Sequence, residues 1–365
     1  MPEKLMQTTP AVFAVGDTYQ IVVETGVSAL FCVQVGTKTY CDASNGIMNS
    51  LSAMHRVSVP MAALDEAKAY TVCIRPLVQR KPYFSITEDE KRYTFAFRPV
   101  PENNARAYHI ADTHNMIAEP VRAAKAYGEV DFLILNGDVI DHSGSPDKFA
   151  NIYQICEMIT GGEVPVVFSR GNHDMRGEYA ERFADYTPNR YGKTYYTFRL
   201  GSIWGVVLDC GEDKADDHPE YGFTVACHAF REEQTAFLQE LVRHAADEYA
   251  APGVKTRMVI SHVPFTERDD PPFDIEDDVY HAWCGILREH VQPHIMLCGH
   301  THRMEIREKG HARDHRGQPC SVVIGSDKDG CAWAGCGLCF GRDTVEAVFT
   351  NDRGERVAEG AIKKE

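Results

Sequence analysis

With 365 residues, 53 acidic side chains against 38 basic ones and a formal net charge of −15, the chain is long enough for two domains. That charge argues against nonspecific binding to nucleic acid or an anionic membrane, which needs a positive field. Its 44% hydrophobic and 25% charged content suits a globular protein, and no apolar run nears the roughly 20 residues that span a bilayer. The opening MPEKLMQTTPAVFAVG lacks the apolar core and cleavage site of a signal peptide, so a cytoplasmic protein with 12 reduced cysteines is expected.

Residues 1–100 read as β throughout. YQIVVET (19–25), ALFCVQV (29–35), TKTYC (37–41), HRVSV (55–59), AYTVCIRPLV (69–78) and RYTFAF (92–97) are short, rich in β-branched and aromatic residues, and separated by turn residues. The pattern predicts a β-sandwich domain over 1–100. LDEAKAYTV, with Leu64 and Tyr70, resembles the tyrosine corner of fibronectin type III modules. FRPVPENNAR (97–106) reads as the linker.

From residue 105 to 365 a second domain is expected. RAYHIAD (106–112) predicts a strand, EPVRAAKAYG a helix, VDFLILNGD (130–138) a buried strand, and DKFANIYQICEMIT (147–160) a helix with Phe149, Ile152, Cys156 and Ile159 on one face. VPVVFSRGN (164–172) is the third strand, giving β-α-β-α-β and hence a parallel sheet covered by helices. Further strands are predicted at TYYTFRL, IWGVVLD, TRMVISH, HIMLCGH and CSVVIGS, with a helix around 229–246 and a C-terminal hairpin in DTVEAVFTNDRGERVAEG. Cys331, Cys336 and Cys339 have a C-x4-C-x2-C spacing seen in iron–sulfur proteins, but no cysteine follows Cys339, so free thiols on strands and a Gly-rich loop are expected.

Five strands of this second part end in metal-ligand chemistry. IADTH gives Asp112 and His114; LNGDVID gives Asp138 and Asp141; SRGNHD gives Asn172, His173 and Asp174; VISHVP gives His262; LCGHTH gives His300 and His302. Taken singly, Asp-Thr-His is a common helix cap, Asn-His-Asp a common turn and Ser-His an ordinary strand end. Five together are what an α/β sheet uses to build a site along its carboxyl edge.

In this order the blocks resemble the calcineurin-like metallophosphoesterase superfamily over residues 106–350. The resemblance implies a four-layer α/β/β/α fold and two metal ions. Asp112, His114 and His302 would bind the first, Asn172, His262 and His300 the second, and Asp138 would bridge them. Imidazole, carboxylate and amide oxygen without thiolate suit Mn, Fe or Zn. It also implies hydrolysis by a metal-bridging hydroxide, with His173 donating a proton to the leaving oxygen and Asp141 orienting its ring.

The match narrows at two places. Protein serine/threonine phosphatases carry an Arg after the second Asp of G-D-x-x-D, where this chain has His142; this counts against a phosphoprotein substrate. Purple acid phosphatases carry a metal-bound Tyr where this chain has Asp141, although they share the order of β-sandwich and phosphoesterase domain. His142, Arg170 and Arg176 are candidate phosphate contacts. Glu212, Lys214 and His218 in DCGEDKADDHPEYG are candidates for a substrate pocket. FTERDDPPFDIEDDVY (265–280) carries seven acids and reads either as a solvated loop or as a rim that repels polyanions. The expected function is hydrolysis of a small phosphomonoester or phosphodiester. Cyclic-nucleotide phosphodiesterase is the alternative, and a non-catalytic scaffold is a third reading that intact ligands disfavour.

Overall fold

The computed structural model describes residues 5–43, 46–326 and 332–364. The three strands of the β-α-β-α-β unit, Ala105–Ile110, Phe132–Asn136 and Val166–Ser169, pair in parallel as expected. The antiparallel strands Ala334–Phe340, Thr344–Asn351 and Arg356–Lys363 extend this sheet on one side. A second sheet runs Tyr196–Leu200, Ile203–Leu208, Thr256–Ser261, Ile295–Cys298, Ser321–Gly325 and Met304–Arg307.

Side-chain alternation explains the layering. In Phe132–Asn136, Phe132 and Ile134 enter the core between the sheets, while Leu133 and Leu135 meet helix Ala150–Thr160 through Ile152 and Cys156. In the second sheet Val207, Ile260, Leu297 and Val323 face the same central core. Val206, Val259, Met296 and Val322 face helices Cys227–Arg243 and Asp277–Ile286 through Leu238, Leu241, Tyr280 and Trp283. The result is the expected α/β/β/α sandwich. Among the described residues no helix is long and apolar enough to cross a membrane.

The N-terminal part is all-β apart from helix Met61–Ala67, which the sequence reading missed. It is organised by one 18-residue strand, Thr18–Val35, where two strands were expected. Strand Ala11–Val15, also missed, pairs with Thr18–Val35 on one side and in parallel with Val166–Ser169 on the other. The first sheet therefore continues into the N-terminal strands, and Val12, Ile21 and Phe31 share a core with Phe132 and Val167. The linker is packed too: Phe97 and Val100 are buried and Arg98 N–H donates to Glu163 O at 2.8 Å. Tyr70 does not form a local tyrosine corner. Its buried hydroxyl donates to Gly162 O at 2.7 Å, joining the N-terminal strands to the turn before Val166–Ser169.

Two expectations about cysteines change. Cys32 and Cys41 are disulfide-bonded, not reduced, because they face each other on adjacent antiparallel strands with Cα atoms 4.0 Å apart. Cys336 and Cys339 lie on strand Ala334–Phe340, not in a loop, and three positions apart they point to opposite faces. Cys331 lies outside the described residues.

Candidate metal centre

The parallel strands of both sheets end at one edge, and each predicted ligand sits on the loop that leaves a strand end. Hydrogen bonds lock the first two loops side by side. Asp112 N–H donates to Gly137 O at 3.1 Å, His114 N–H to Asp138 O at 2.9 Å and Asn115 N–H to Val139 O at 3.1 Å. Five of the ligand residues hold positive φ: Asp112 (53°), His114 (42°), Asp138 (51°), His300 (68°) and His302 (54°). Such backbone is costly for non-glycine residues and collects at functional sites where the surroundings enforce it.

The side chains converge. Asp112, His114 and His302 offer ligand atoms within 4.8 Å of one another, as do Asp112, Asp138 and His262. Asp138 Oδ2 lies 3.2 Å from His262 Nε2 and 3.8 Å from His114 Nε2. Asp112 Oδ1 lies 3.7 Å from both His262 Nε2 and His302 Nε2. Asn172 Oδ1 lies 3.0 Å from His300 Nδ1. All seven predicted ligands are thus at one place.

The electrostatics ask for a cation. Burial works against charge on His262, yet the Asp138 and Asp112 carboxylates hold its pKa up at about 10. Burial also works against Asp138, but His262, His173 and His114 hold its carboxyl well below the usual range. His262 Nδ1 donates to Asn136 O at 2.7 Å, so Nε2 is the nitrogen that faces the two carboxylates, and a metal ion would take the place of the proton that Nε2 carries between them. Buried carboxylates need a positive charge beside them, and a metal ion supplies it as the proton on His262 does. The donor set therefore fits a metal.

Residues behind the ligands hold them. Asp174 is fully buried and its carboxylate accepts from Asp138 N at 3.0 Å, Gly171 N at 2.8 Å and Ile140 N at 3.4 Å. It pins two ligand loops rather than orienting His173. Burial and the nearby Asp138 charge raise its pKa. Asp112 accepts from His300 N at 2.9 Å and from the Ser326 hydroxyl. Ser326 was missed, although it too follows a strand end, in CSVVIGS.

His173 lies beside the ligands, its ring centroid 4.6 Å from that of His114. A ring nitrogen also falls within 4.8 Å of His114 and Asp138 ligand atoms. Its Nδ1 lies 3.1 Å from the Asp141 carbonyl and its Nε2 3.3 Å from Arg176 Nη1. A carbonyl only accepts and a guanidinium only donates, so the proton sits on Nδ1 and Nε2 is the acceptor. Asp141 thus holds His173 by its backbone, not its carboxylate as expected. That carboxylate meets Lys148 Nζ at 2.9 Å; burial pushes its pKa up, but Lys148, Asn115 and His142 together hold it down at about 2.

The candidate substrate contacts separate. Arg170 Nε is tied to Asp209 at 2.8 Å, and exposed His142 accepts from Gly144 N at 3.0 Å. Arg176 faces His173. Lys214 pairs with Asp213 at 2.9 Å and Glu220 at 3.1 Å, and His218 Nδ1 accepts from Glu220 N. The acidic stretch 265–280 is largely compensated. Glu267 pairs with Arg307 at 2.8 Å, Glu276 with Arg231 at 2.8 Å and Asp277 with Arg316 at 2.9 Å. A repelling rim is therefore weaker than seven acids suggested.

The sequence signature of the calcineurin-like phosphoesterase family matches residues 105–304. The chain belongs to this family. It is 27% identical over 209 residues to a probable cyclic nucleotide phosphodiesterase of Rhodopseudomonas palustris, covering 54% of this chain and 66% of the relative. It is 24% identical over 183 residues to a serine/threonine-protein phosphatase of Danio rerio, covering 47% of this chain and 54% of that one. The chain thus spans less than two thirds of the length of either relative. The solved purple acid phosphatase PPD1 of yellow lupin (Lupinus luteus) shares the fold across 98% of this chain and 74% of its own, with a TM-score of 0.58 and 11% identity. That likeness covers the N-terminal strands as well as the phosphoesterase part.

Proposed function

We propose that this calcineurin-like chain is a metal-dependent phosphoesterase in which Asp138 would serve two ions, and that it hydrolyses a small phosphomonoester or phosphodiester. The observation that carries this reading is the position of the Asp138 carboxylate, with His114 Nε2 and His262 Nε2 on the same oxygen at 3.8 and 3.2 Å. Asp112, His114 and His302 would hold one ion and Asn172, His262 and His300 the other. The donor types favour Mn, Fe or Zn. Ions so held supply Lewis-acid charge for the phosphoryl oxygens and an acidified water as nucleophile.

The chain's own residues orient and exchange protons. Asp174 and the paired loops keep the ligand atoms converged. His173 handles the proton of the leaving oxygen, an effect of about 10²–10⁴-fold for a placed acid or base. Its Nε2 accepts from Arg176 Nη1, so for His173 to act as the acid that contact opens and Nε2 takes up a proton before passing it to the leaving oxygen. His142 in place of an arginine supports a small substrate over a phosphoprotein.

Hydrolysis of a cyclic nucleotide is the second reading, favoured by the name of the Rhodopseudomonas relative. A panel of Mn, Fe, Zn and Mg with p-nitrophenyl phosphate, bis-p-nitrophenyl phosphate and cyclic nucleotides tests both. Turnover of the first two supports the general reading, and preference for the third supports the alternative. No turnover with any metal would return the chain to the scaffold reading.

A further inference from the structure

Arg176 does not sit as a surface arginine. Its Nε and Nη2 each donate to Glu212 at 2.9 Å, a two-point pairing with a carboxylate that is 1% exposed. That pairing leaves Nη1 outside the carboxylate, and Nη1 is the atom 3.3 Å from His173 Nε2. Glu212 is itself held. Its carbonyl accepts from Arg231 Nη2, its N–H meets Cys227 Sγ at 3.4 Å, and the fully buried Arg231 is anchored by Cys210 O at 2.7 Å and Glu276 at 2.8 Å. A cavity of about 670 Å³ opens beside this pair, lined by Arg176, Glu212, Glu220, Met175 and Tyr221.

We infer that Arg176 is a substrate-binding residue whose Nη1 takes an oxygen of the phosphoryl group, and that Glu212 is the positioning residue that aims it. The cavity then receives the organic part of the ester. The inference rests on the phosphoesterase reading and deepens it. A planar guanidinium with two nitrogens pinned can offer the third only in one direction, which is how arginine grips a tetrahedral oxyanion without first ordering a long side chain. Glu212, Asp213 and Glu220 keep the free arginine from being a general anion trap: they lie 2.9, 3.7 and 3.9 Å from Nη2.

The test is calorimetric titration of inorganic phosphate into Mn-loaded protein, with Mn content measured on each variant. Arg176→Lys is expected to weaken phosphate about tenfold or more, and Glu212→Gln about three- to tenfold, with Mn content unchanged. Because Glu212 acts through Arg176, the double variant should bind no more weakly than Arg176→Lys alone. Glu212→Asp, which keeps the charge, should recover part of the loss and stands in if Glu212→Gln fails to fold. Additive losses, or phosphate affinity untouched by either change, would overturn the inference; so would a wild-type protein that does not bind phosphate. Phosphate binding that follows the predicted pattern without hydrolysis of any ester would instead refute the phosphoesterase reading and leave the oxyanion site standing.

Discussion

Gly171 faces Asp138 so closely that a Cβ at position 171 would stand 2.2 Å from the Asp138 Oδ1 atom and 2.4 Å from its backbone nitrogen. The glycine of G-N-H-D is therefore a requirement of the neighbouring block G-D-x-x-D. Gly299 of G-H-x-H has the same relation to the first block, since its Cβ would lie 2.7 Å from Asp112 Oδ2. Gly171→Ala should destabilise the protein by about 1–3 kcal/mol or more through overpacking and should displace the bridging carboxylate. Denaturant unfolding and metal content check this. A variant with wild-type midpoint and full metal would show that the loop yields more easily than its geometry implies.

Asp174 supports the ligand loops through their backbone, accepting from Asp138 N, Gly171 N and Ile140 N. Asp174→Asn replaces an oxygen that accepts a backbone N–H with an NH₂ that cannot accept, so at least one buried donor among Asp138, Gly171 and Ile140 loses its partner. A loss of about 1–3 kcal/mol in stability and weaker metal retention are expected. Unchanged stability would mean that the backbone donors find other partners.

His109 lies fully buried beneath the site, its Nε2 3.0 Å from Asn136 Nδ2. Burial and the His262 charge push its pKa down to about 3, against the pull of Asp112. The unfolded chain binds this proton near pH 6.5 and the folded one does not, so His109 removes stability as pH falls from about 6.5 toward 3, at up to about 1.4 kcal/mol per pH unit. Above pH 6.5 it has no effect. Chelator-treated His109→Gln should lose less stability than wild type between pH 6 and 4, measured by urea unfolding. Parallel slopes would contradict the assignment.

The N-terminal strands are predicted to be needed for folding, though not for chemistry. A chain beginning at Asn103 loses the strand that pairs with Val166–Ser169 and uncovers Val167, next to the loop that carries Asn172. It should be insoluble or fail to unfold cooperatively. A soluble, metal-binding fragment would show that residues 1–100 are a separable unit.

Much of the site was legible because its ligands stand at strand ends beside glycines, a pattern that survives in one dimension. What stayed hidden depends on distant partners. Strand Ala334–Phe340 read as a Gly-rich loop since its glycines do not signal a strand; they are there because the Tyr108 and Tyr127 rings fill the space beside Gly335 and Gly337. Strand Ala11–Val15 read as a terminus although it pairs with the adjacent Thr18–Val35; its second, parallel pairing with Val166–Ser169 is the contact that no local pattern signals. The carboxylate of Asp141 was misassigned because sequence shows a side chain, not the carbonyl that meets His173. Glu212 was a candidate for a substrate pocket, but its pairing with Arg176 could not be read from sequence because the two lie 36 residues apart on different loops.

The central claim is that one carboxylate, Asp138, holds two ions. Metal analysis of Mn-loaded protein after exhaustive dialysis tests it most directly. Two ions per wild-type chain are expected, and a loss in Asp138→Asn larger than in His302→Ala or His300→Ala, since only Asp138 would serve both ions. One ion or none in the wild type, or two retained in Asp138→Asn, would contradict it.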